Sequence, residues 1–169
     1  MKYAGIIKND IANGPGICVS FFVQGCEKHC PHCFNSETWD FNGGKEFTPS
    51  TMNTILEALT ANGIKRDFNL LGGEPLHPKN ILLSFTIVKT IKDYLPDTKI
   101  YIWSGYLYEE LNKRVKEGDE FLRKILSLSD YLIDGPFIEE QKDLTLQMRG
   151  SRNQRIIDLK TLKAVNGLN

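Results

Sequence analysis

The chain has 169 residues, of which 41% are hydrophobic, and this length and composition suit one domain, residues 1–169, with a sizeable core. Its 21 lysines and arginines balance its 21 aspartates and glutamates, so no net charge attracts nucleic acid or an anionic membrane. The first ten residues lack the apolar core of a secretory signal, and no apolar run reaches the roughly 18 residues of a membrane helix. We therefore expect a cytoplasmic protein with neither nucleic acid nor a membrane as partner.

The first half of the chain alternates between predicted strands and helices. The run ICVSFFVQG has alternating apolar residues and β-favouring types, which predict a strand. In TPSTMNTILEALTANG, a cap at Thr48, a proline at Pro49 and a stop at Gly63 predict a helix. DFNLLGG then predicts a short buried strand, and PKNILLSFTIVKTIKDYLP predicts a second helix that ends before Pro96.

The same alternation continues in the second half. KIYIWSG predicts a strand, helical segments follow from about Tyr108 to Leu128 with a break near Gly118, and SDYLIDGPF predicts another strand. This order is typical of βαβ units and predicts an α/β fold with a parallel sheet, either open or a partial (incomplete) β/α barrel of parallel strands. A complete eightfold barrel needs about 250 residues, more than this chain contains.

Three cysteines lie within eight residues in the segment GCEKHCPHCFN. Cys26, Cys30 and Cys33 have the spacing C-x3-C-x2-C, which suits one iron–sulfur cluster or one zinc ion. In a reducing cytoplasm such a group indicates metal binding or catalysis, not disulfides. Zinc stays an alternative because His29 and His32 lie between the cysteines, but structural zinc usually takes two separated pairs of ligands. The sequence has no second pair, so we favour an iron–sulfur cluster.

A fourth cysteine, Cys18, opens the first predicted strand. At about 3.3 Å per residue, it would lie on the order of 15 Å behind Gly25, where that strand ends. Cys18 is therefore expected to be a small buried hydrophobic residue. A closed [4Fe–4S] site uses four cysteines, so a cluster held by three has one iron open to another ligand. An open iron indicates chemistry and not only scaffolding.

Each predicted strand of the parallel sheet ends in a turn that contains glycine. The carboxyl ends of parallel strands form the ligand face of α/β folds, and glycine permits close approach to the backbone. We therefore expect one pocket beside the cysteines. The glycines are Gly25 in FFVQGC, Gly72 and Gly73 in LLGGEP, Gly105 in YIWSGY and Gly135 in LIDGPF.

The cysteine segment followed by LGGEP resembles the radical S-adenosylmethionine (SAM) superfamily. Within it, the stretches KNDIANGPG, HCFNSETWDFNGG and MRGSRNQRIID resemble the anaerobic ribonucleotide reductase activating proteins, a group of glycyl-radical-enzyme activating enzymes, up to about Asp158. The resemblance implies a truncated radical SAM core, in which SAM binds the open iron of a [4Fe–4S] cluster with three cysteine ligands. An electron from the reduced cluster cleaves SAM to methionine and a 5′-deoxyadenosyl radical, and this radical takes a hydrogen atom from a glycine of the reductase large subunit.

The resemblance also implies roles for individual residues. Cys26, Cys30 and Cys33 would be the cluster ligands at the catalytic centre, and a low-potential flavodoxin or ferredoxin would supply the electron. Gly72, Gly73 and Glu74 would approach the methionyl amino group of SAM, for which backbone carbonyls and a carboxylate are suitable acceptors. The remaining residues expected to contact SAM or cover the cluster are His32, Phe34, Ser104, Gly105, Tyr106 and Asp134. His32 departs from the family, which often has an aromatic residue at this position beside the adenine.

Three functions stay open at this point. The leading one is activation of the anaerobic reductase. The second is activation of another glycyl radical enzyme, such as pyruvate formate-lyase, and the third is a zinc-stabilised or ferredoxin-like module for binding or electron transfer. Arg149, Arg152 and Arg155 stand close together in an otherwise neutral chain. A solvated edge strand is the default interpretation, but a basic patch could position the partner protein or the SAM carboxylate, and our hypothesis is that it docks the partner.

Overall fold

A sheet of eight strands runs through residues 1–168, the part of the chain that this computed structural model describes. The strands are β1 (Lys2–Asp10), β2 (Cys18–Val23), β3 (Lys45–Glu46), β4 (Asp67–Gly72), β5 (Ile100–Ser104), β6 (Tyr131–Asp134), β7 (Arg155–Asp158) and β8 (Lys163–Val165). Their order across the sheet is β3-β1-β2-β4-β5-β6-β7-β8. The protein is thus a mixed α/β fold.

Parallel pairing is confined to the centre of the sheet. Strands β2, β4, β5 and β6 pair in parallel, whereas β1 and β3 on one flank and β7 and β8 on the other pair antiparallel. The four parallel strands confirm the predicted strands, but the expectation of parallel strands alone is wrong. Antiparallel flanking strands can expose one face to solvent and need no crossover helix, so they lack the continuous apolar runs that marked the centre.

Four helices connect the parallel strands: α1 (Pro49–Thr60), α2 (Ile81–Tyr94), α3 (Tyr108–Lys116) and α4 (Glu120–Leu128). The predicted helix start is confirmed at α1, where the Thr48 hydroxyl accepts the Thr51 amide and the Thr51 hydroxyl accepts the Thr48 amide. The predicted break is confirmed at Gly118, whose φ is +103°. Within the described residues, no helix is both long and apolar enough to cross a membrane.

The sheet separates two apolar clusters. Alternate residues of the central strands, including Val19 and Phe21, enter the larger cluster beneath the helices. The opposite face carries a smaller cluster around Tyr101, Ile133 and Ile156. Because side chains alternate along a strand, Phe22, Leu71 and Trp103 fall on this second face, where they line a cavity.

Candidate functional site

A cavity of about 510 Å³ opens at the carboxyl ends of the parallel strands. Its wall includes the three clustered cysteines together with glycines from the turns after β4, β5 and β6. The expected convergence of glycine turns beside the cysteines is therefore confirmed for three of the four turns. The fourth, at Gly25, lies behind the wall, where its carbonyl accepts the Glu74 amide at 2.9 Å.

The cysteine loop, residues 26–33, is irregular and contains two residues with left-handed backbone. The φ angles are +46° at His29 and +57° at His32, a conformation that few residues other than glycine adopt. The His29 ring packs on Trp39 with 4.7 Å between centroids, and the Cys26 amide donates to the Trp39 carbonyl at 3.0 Å. The loop is thus braced by the NSETW stretch that follows it.

A second brace joins the cysteine loop to the start of α2. Glu27 accepts from His77 Nε2 at 3.2 Å and from Lys79 Nζ at 2.8 Å. Phe41 packs on His77 with 4.9 Å between centroids and covers Gly25, where a Cβ would lie 2.1 Å from Phe41 Cδ1. Gly25 has φ +104°, so both its left-handed backbone and the adjacent ring of Phe41 require glycine at this position.

The thiols of Cys26 and Cys30 are partly buried, and this burial raises the pKa of each. Nearby backbone N–H groups, those of Lys28 and His29 at Cys26 and that of Phe137 at Cys30, oppose the shift, but its net direction is upward. Burial therefore makes both thiols harder to ionise, although the thiolate is the form that binds metal. The fit to a metal centre rests on the grouping of the three thiols and not on their pKa.

The cysteines fit an iron–sulfur cluster. All three are free thiols on the wall of one cavity, and in a cluster each cysteine binds a different iron. Within residues 1–168, no group of three or more His, Cys, Asp or Glu side chains has the arrangement to hold a single metal ion. A cluster does not require that arrangement, because its ligands do not share one iron.

Cys18 lies apart from the other cysteines, as expected. It is fully buried at the start of β2, the end of that strand remote from Gly25, and its sulfur donates to the Pro15 carbonyl at 3.5 Å. Burial raises the pKa of the Cys18 thiol to about 11. Its position and protonated state both make it a packing residue.

Glu74 lies on the cavity wall but is only 1% exposed. Its Oε1 accepts from the Leu76 amide at 3.0 Å and from the Ser104 hydroxyl at 2.8 Å, and its Oε2 accepts from the Gly105 amide at 2.7 Å. Burial raises the pKa of Glu74, and these hydrogen bonds oppose the shift. The carboxylate thus fastens the turn after β4 to the turn after β5.

Gly72 and Gly73 are required by the backbone of β2 and the turn that follows it. A Cβ at Gly72 would lie 2.8 Å from Phe22 Cα, and a Cβ at Gly73 would lie 2.5 Å from the Gly25 carbonyl oxygen. The Gly73 amide also donates to the Val23 carbonyl at 2.9 Å. The two glycines therefore have a structural role, whatever ligand the cavity takes.

Three residues expected at the ligand do not line the cavity. His32 is exposed on the cysteine loop, and the Tyr106 ring faces Lys28 Nζ at 4.0 Å. Asp134 is fully buried and pairs with Arg155 at 2.5 Å. The other expected residues outside the cysteine loop line the cavity: Phe34, Gly72, Gly73, Glu74, Ser104 and Gly105.

The three arginines do not form one basic patch. Arg155 is held by Asp134 and by Glu109, the latter at 2.7 Å, while Arg149 lines the cavity. The side chain of Arg152 is 62% exposed, and its Nη1 lies 3.9 Å from Oδ2 of Asp143. The alternative of an edge strand is also wrong, because β8 pairs outside β7.

Sequence reasoning missed several residues of the cavity wall. Trp103, which was not among the predicted site residues, lines the cavity and donates its indole N–H to the Met148 carbonyl at 2.8 Å. Lys28 and Phe137 also line it. Their places in the sequence could have identified both as cavity residues, since Lys28 lies inside the cysteine motif and Phe137 follows Gly135 in the fourth turn.

Comparison with known proteins identifies the family of this chain. Residues 12–157 match the family described as a 4Fe-4S single cluster domain. The anaerobic ribonucleoside-triphosphate reductase-activating protein of Escherichia coli (strain K12) is 37% identical over 161 residues, covering 95% of this chain and 100% of the relative. Proteins of the same name are 38% identical over 157 residues in Pasteurella multocida, covering 92% and 96%, and 33% identical over 156 residues in Enterobacteria phage T4, covering 92% and 93%. The chain therefore belongs to the family of anaerobic ribonucleoside-triphosphate reductase-activating proteins, with a 4Fe-4S single cluster domain.

Proposed function

We propose that the protein activates an anaerobic ribonucleotide reductase by radical SAM chemistry in the cavity at the carboxyl ends of the parallel strands. The observation that carries the proposal is the presence of three free cysteines and the GGEP turn on the wall of one cavity. The relatives' names identify the partner class, and we propose its large subunit as the protein substrate. In this proposal residues 1–169 form one domain with a truncated radical SAM core, whose sheet is a partial barrel.

Cys26, Cys30 and Cys33 would hold a [4Fe–4S] cluster with one iron each. Cys18 is buried at the far end of β2, which supports a fourth iron without a cysteine ligand, open to SAM. When bound, the cluster and SAM supply the electron and the radical by which a hydrogen atom leaves a glycine of the reductase. We propose a low-potential flavodoxin or ferredoxin as the electron donor.

The turn after β4 would orient the methionyl amino group of SAM. A carboxylate has about four acceptor sites, and Glu74 uses three of them on its protein partners. One acceptor site is left for an ammonium group. Because Glu74 also holds Ser104 and Gly105, the same carboxylate would keep the two turns of the cavity in register.

Basic and apolar side chains of the wall would serve different ends. Lys28 and Arg149 line the cavity and are suited to the methionyl carboxylate, since cationic side chains bind carboxylates. Phe34 and Trp103 add apolar surface that would exclude water from the radical. We propose an indirect role for Asp134, in which its carboxylate positions Arg155. Contacts of His32 and Tyr106 with SAM stay predictions.

The test is an electron paramagnetic resonance (EPR) spectrum of anaerobically reconstituted, dithionite-reduced protein, recorded with and without SAM. We expect about four irons per chain and a [4Fe–4S]⁺ signal that changes when SAM is added. Mixed with the reductase large subunit, SAM and reductant, the protein should produce a glycyl radical doublet. A response only from pyruvate formate-lyase would contradict the substrate, and a signal indifferent to SAM would indicate an electron carrier.

A pair of cysteine variants separates ligand from packing residue. Cys18→Ala should retain iron and SAM cleavage, at a cost in stability of about 1 kcal/mol for the lost packing, whereas Cys30→Ala should lose both. Loss of the cluster in Cys18→Ala would contradict the open iron. A zinc-containing, colourless wild-type protein would contradict the whole proposal.

A further inference from the structure

The mouth of the cavity is bordered by apolar residues that are exposed to solvent. Leu144 and Phe34 both line the cavity, yet they are 75% and 55% exposed. Ala12, a third lining residue, is also exposed, and Ile11 before it is 78% exposed. Residues that both line a cavity and face solvent lie where the cavity opens, so the mouth has an apolar border.

This border is assembled from three segments that are far apart in the sequence. Ile11 belongs to the β1–β2 loop, residues 11–17. Phe34 directly follows the cysteine loop, and Leu144 belongs to the connection from β6 to β7. The fold therefore brings exposed apolar residues from three separate segments to one opening.

A buried carboxylate fixes the β1–β2 loop. Asp10 is buried, and its Oδ1 accepts from the Ala12 amide at 2.8 Å and from the Asn13 amide at 3.2 Å. Its Oδ2 accepts from Asn13 Nδ2 at 2.9 Å and from the Ser20 hydroxyl. Because these hydrogen bonds hold the turn that carries Ile11, this exposed isoleucine stands on a loop that is already ordered. A preorganised loop loses less conformational entropy when it binds a partner.

The other two segments of the border are also held in place. On either side of Leu144, Asp143 Oδ1 accepts from the Thr145 amide at 3.0 Å and from the Thr145 hydroxyl at 2.6 Å. The Phe34 ring packs on the Phe137 ring with 5.0 Å between centroids. The exposure of Leu144 and Phe34 is therefore a feature of ordered segments.

The proposed reaction indicates what covers this border. The hydrogen atom leaves a glycine of another protein, and that glycine has to enter the cavity through its mouth. Any other occupant, such as a second copy of this chain, would keep the glycine out. Exposed apolar residues grouped in one place are typical of protein–protein contacts, in which a few side chains carry most of the binding energy.

We propose that Ile11, Phe34 and Leu144 form an apolar docking surface for the reductase large subunit, and that it contacts an apolar surface around the target glycine. This inference rests on the proposed function for the identity of the partner. It adds that affinity for the partner depends on Ile11 and Leu144, which bind neither the cluster nor SAM.

The test is Leu144→Glu, which places a carboxylate on the docking surface and leaves the cysteines and the GGEP turn unchanged. We expect wild-type iron content and a wild-type change of the EPR signal on adding SAM. The KM for the large subunit, measured from initial rates of glycyl radical formation, should rise by about tenfold or more. Ile11→Glu should have the same effect from a different segment, and it decides the matter if Leu144→Glu does not fold.

Tyr94→Glu is the matched control. Tyr94 is 72% exposed at the end of α2 and does not line the cavity, so its KM for the large subunit should equal that of the wild type. A wild-type KM in both Leu144→Glu and Ile11→Glu would overturn the inference and leave the proposed function intact.

A second copy of this chain is the other occupant that the experiment can detect. Self-association of the wild type in sedimentation, abolished by both glutamate variants, would assign the surface to a second copy and overturn the inference. Failure of the wild type to produce a glycyl radical on the large subunit would overturn the proposed function instead.

Discussion

A side chain at Gly73 would collide with backbone, which cannot move aside as a side chain can. The methyl group of Gly73→Ala would lie 2.5 Å from the Gly25 carbonyl oxygen and 2.9 Å from its carbon. That oxygen also accepts the Glu74 amide at 2.9 Å and Asn80 Nδ2 at 3.1 Å. To restore ordinary contact, the turn after β4 must move away from Gly25 by nearly one ångström.

The cost follows from that displacement. Overpacking of a well-packed site costs about 1–3 kcal/mol, and loss of the hydrogen bond from Glu74 to Gly25 adds about 0.5–1.5 kcal/mol. We expect Gly73→Ala to lower the free energy of unfolding by about 2–4 kcal/mol. Gly105→Ala is the matched control in the same cavity: its methyl would meet Lys28 Cδ at 2.9 Å, a flexible side chain, so the loss should stay below about 1 kcal/mol.

Urea unfolding followed by tryptophan fluorescence measures both variants against the wild type. Iron content after anaerobic reconstitution reports on the site, and we expect Gly73→Ala to bind less iron than Gly105→Ala, because the displaced turn lies against the start of the cysteine loop. Equal free energies of unfolding for the two variants would refute the argument that backbone contact, and not a ligand, requires Gly73.

Three further predictions concern buried charge and backbone strain. Arg155→Ala leaves the fully buried Asp134 without its cation and should lower the free energy of unfolding, measured in urea, by about 2–4 kcal/mol. The exposed Arg152→Ala should lower it by less than about 0.5 kcal/mol, and similar losses in the two variants would contradict the pairing of Arg155 with Asp134. Burial raises the pKa of Glu74 above 4.5, so its contribution to stability is fully present below about pH 4.5 and declines as the pH rises through the folded-state pKa. The free energy of unfolding of the wild type, measured relative to Glu74→Gln, should therefore fall from pH 4.5 upward. A rise would show that the pKa is shifted in the opposite direction. His32→Val places a β-branched residue at φ +57° and should lower the free energy of unfolding by about 1–2 kcal/mol, whereas His32→Gly should not.

The parts of the fold that could be predicted are those buried on both faces. Strands β2, β4, β5 and β6 lie between the two apolar clusters, and such strands appear in the sequence as continuous apolar runs bounded by glycine. The flanking strands carry no such run. The end of β1 is exposed from Ile7 to Asn9, and all of β8 is exposed or half-buried, so these strands depend on antiparallel pairing with neighbours that the local pattern does not reveal.

The same division holds at the site. Three thiols within eight residues lie near one another in any fold, so the sequence by itself determined the cysteines as candidate ligands, and the turn glycines followed from the strand order. Only the tertiary structure decided the partners of Glu74, the pairing of Asp134 with Arg155, and the contact of the Phe137 ring with the Phe34 ring. The physical reason is separation along the chain: Glu74 and Gly105 are 31 residues apart, and such groups meet only when the sheet has formed and set its strand order and register.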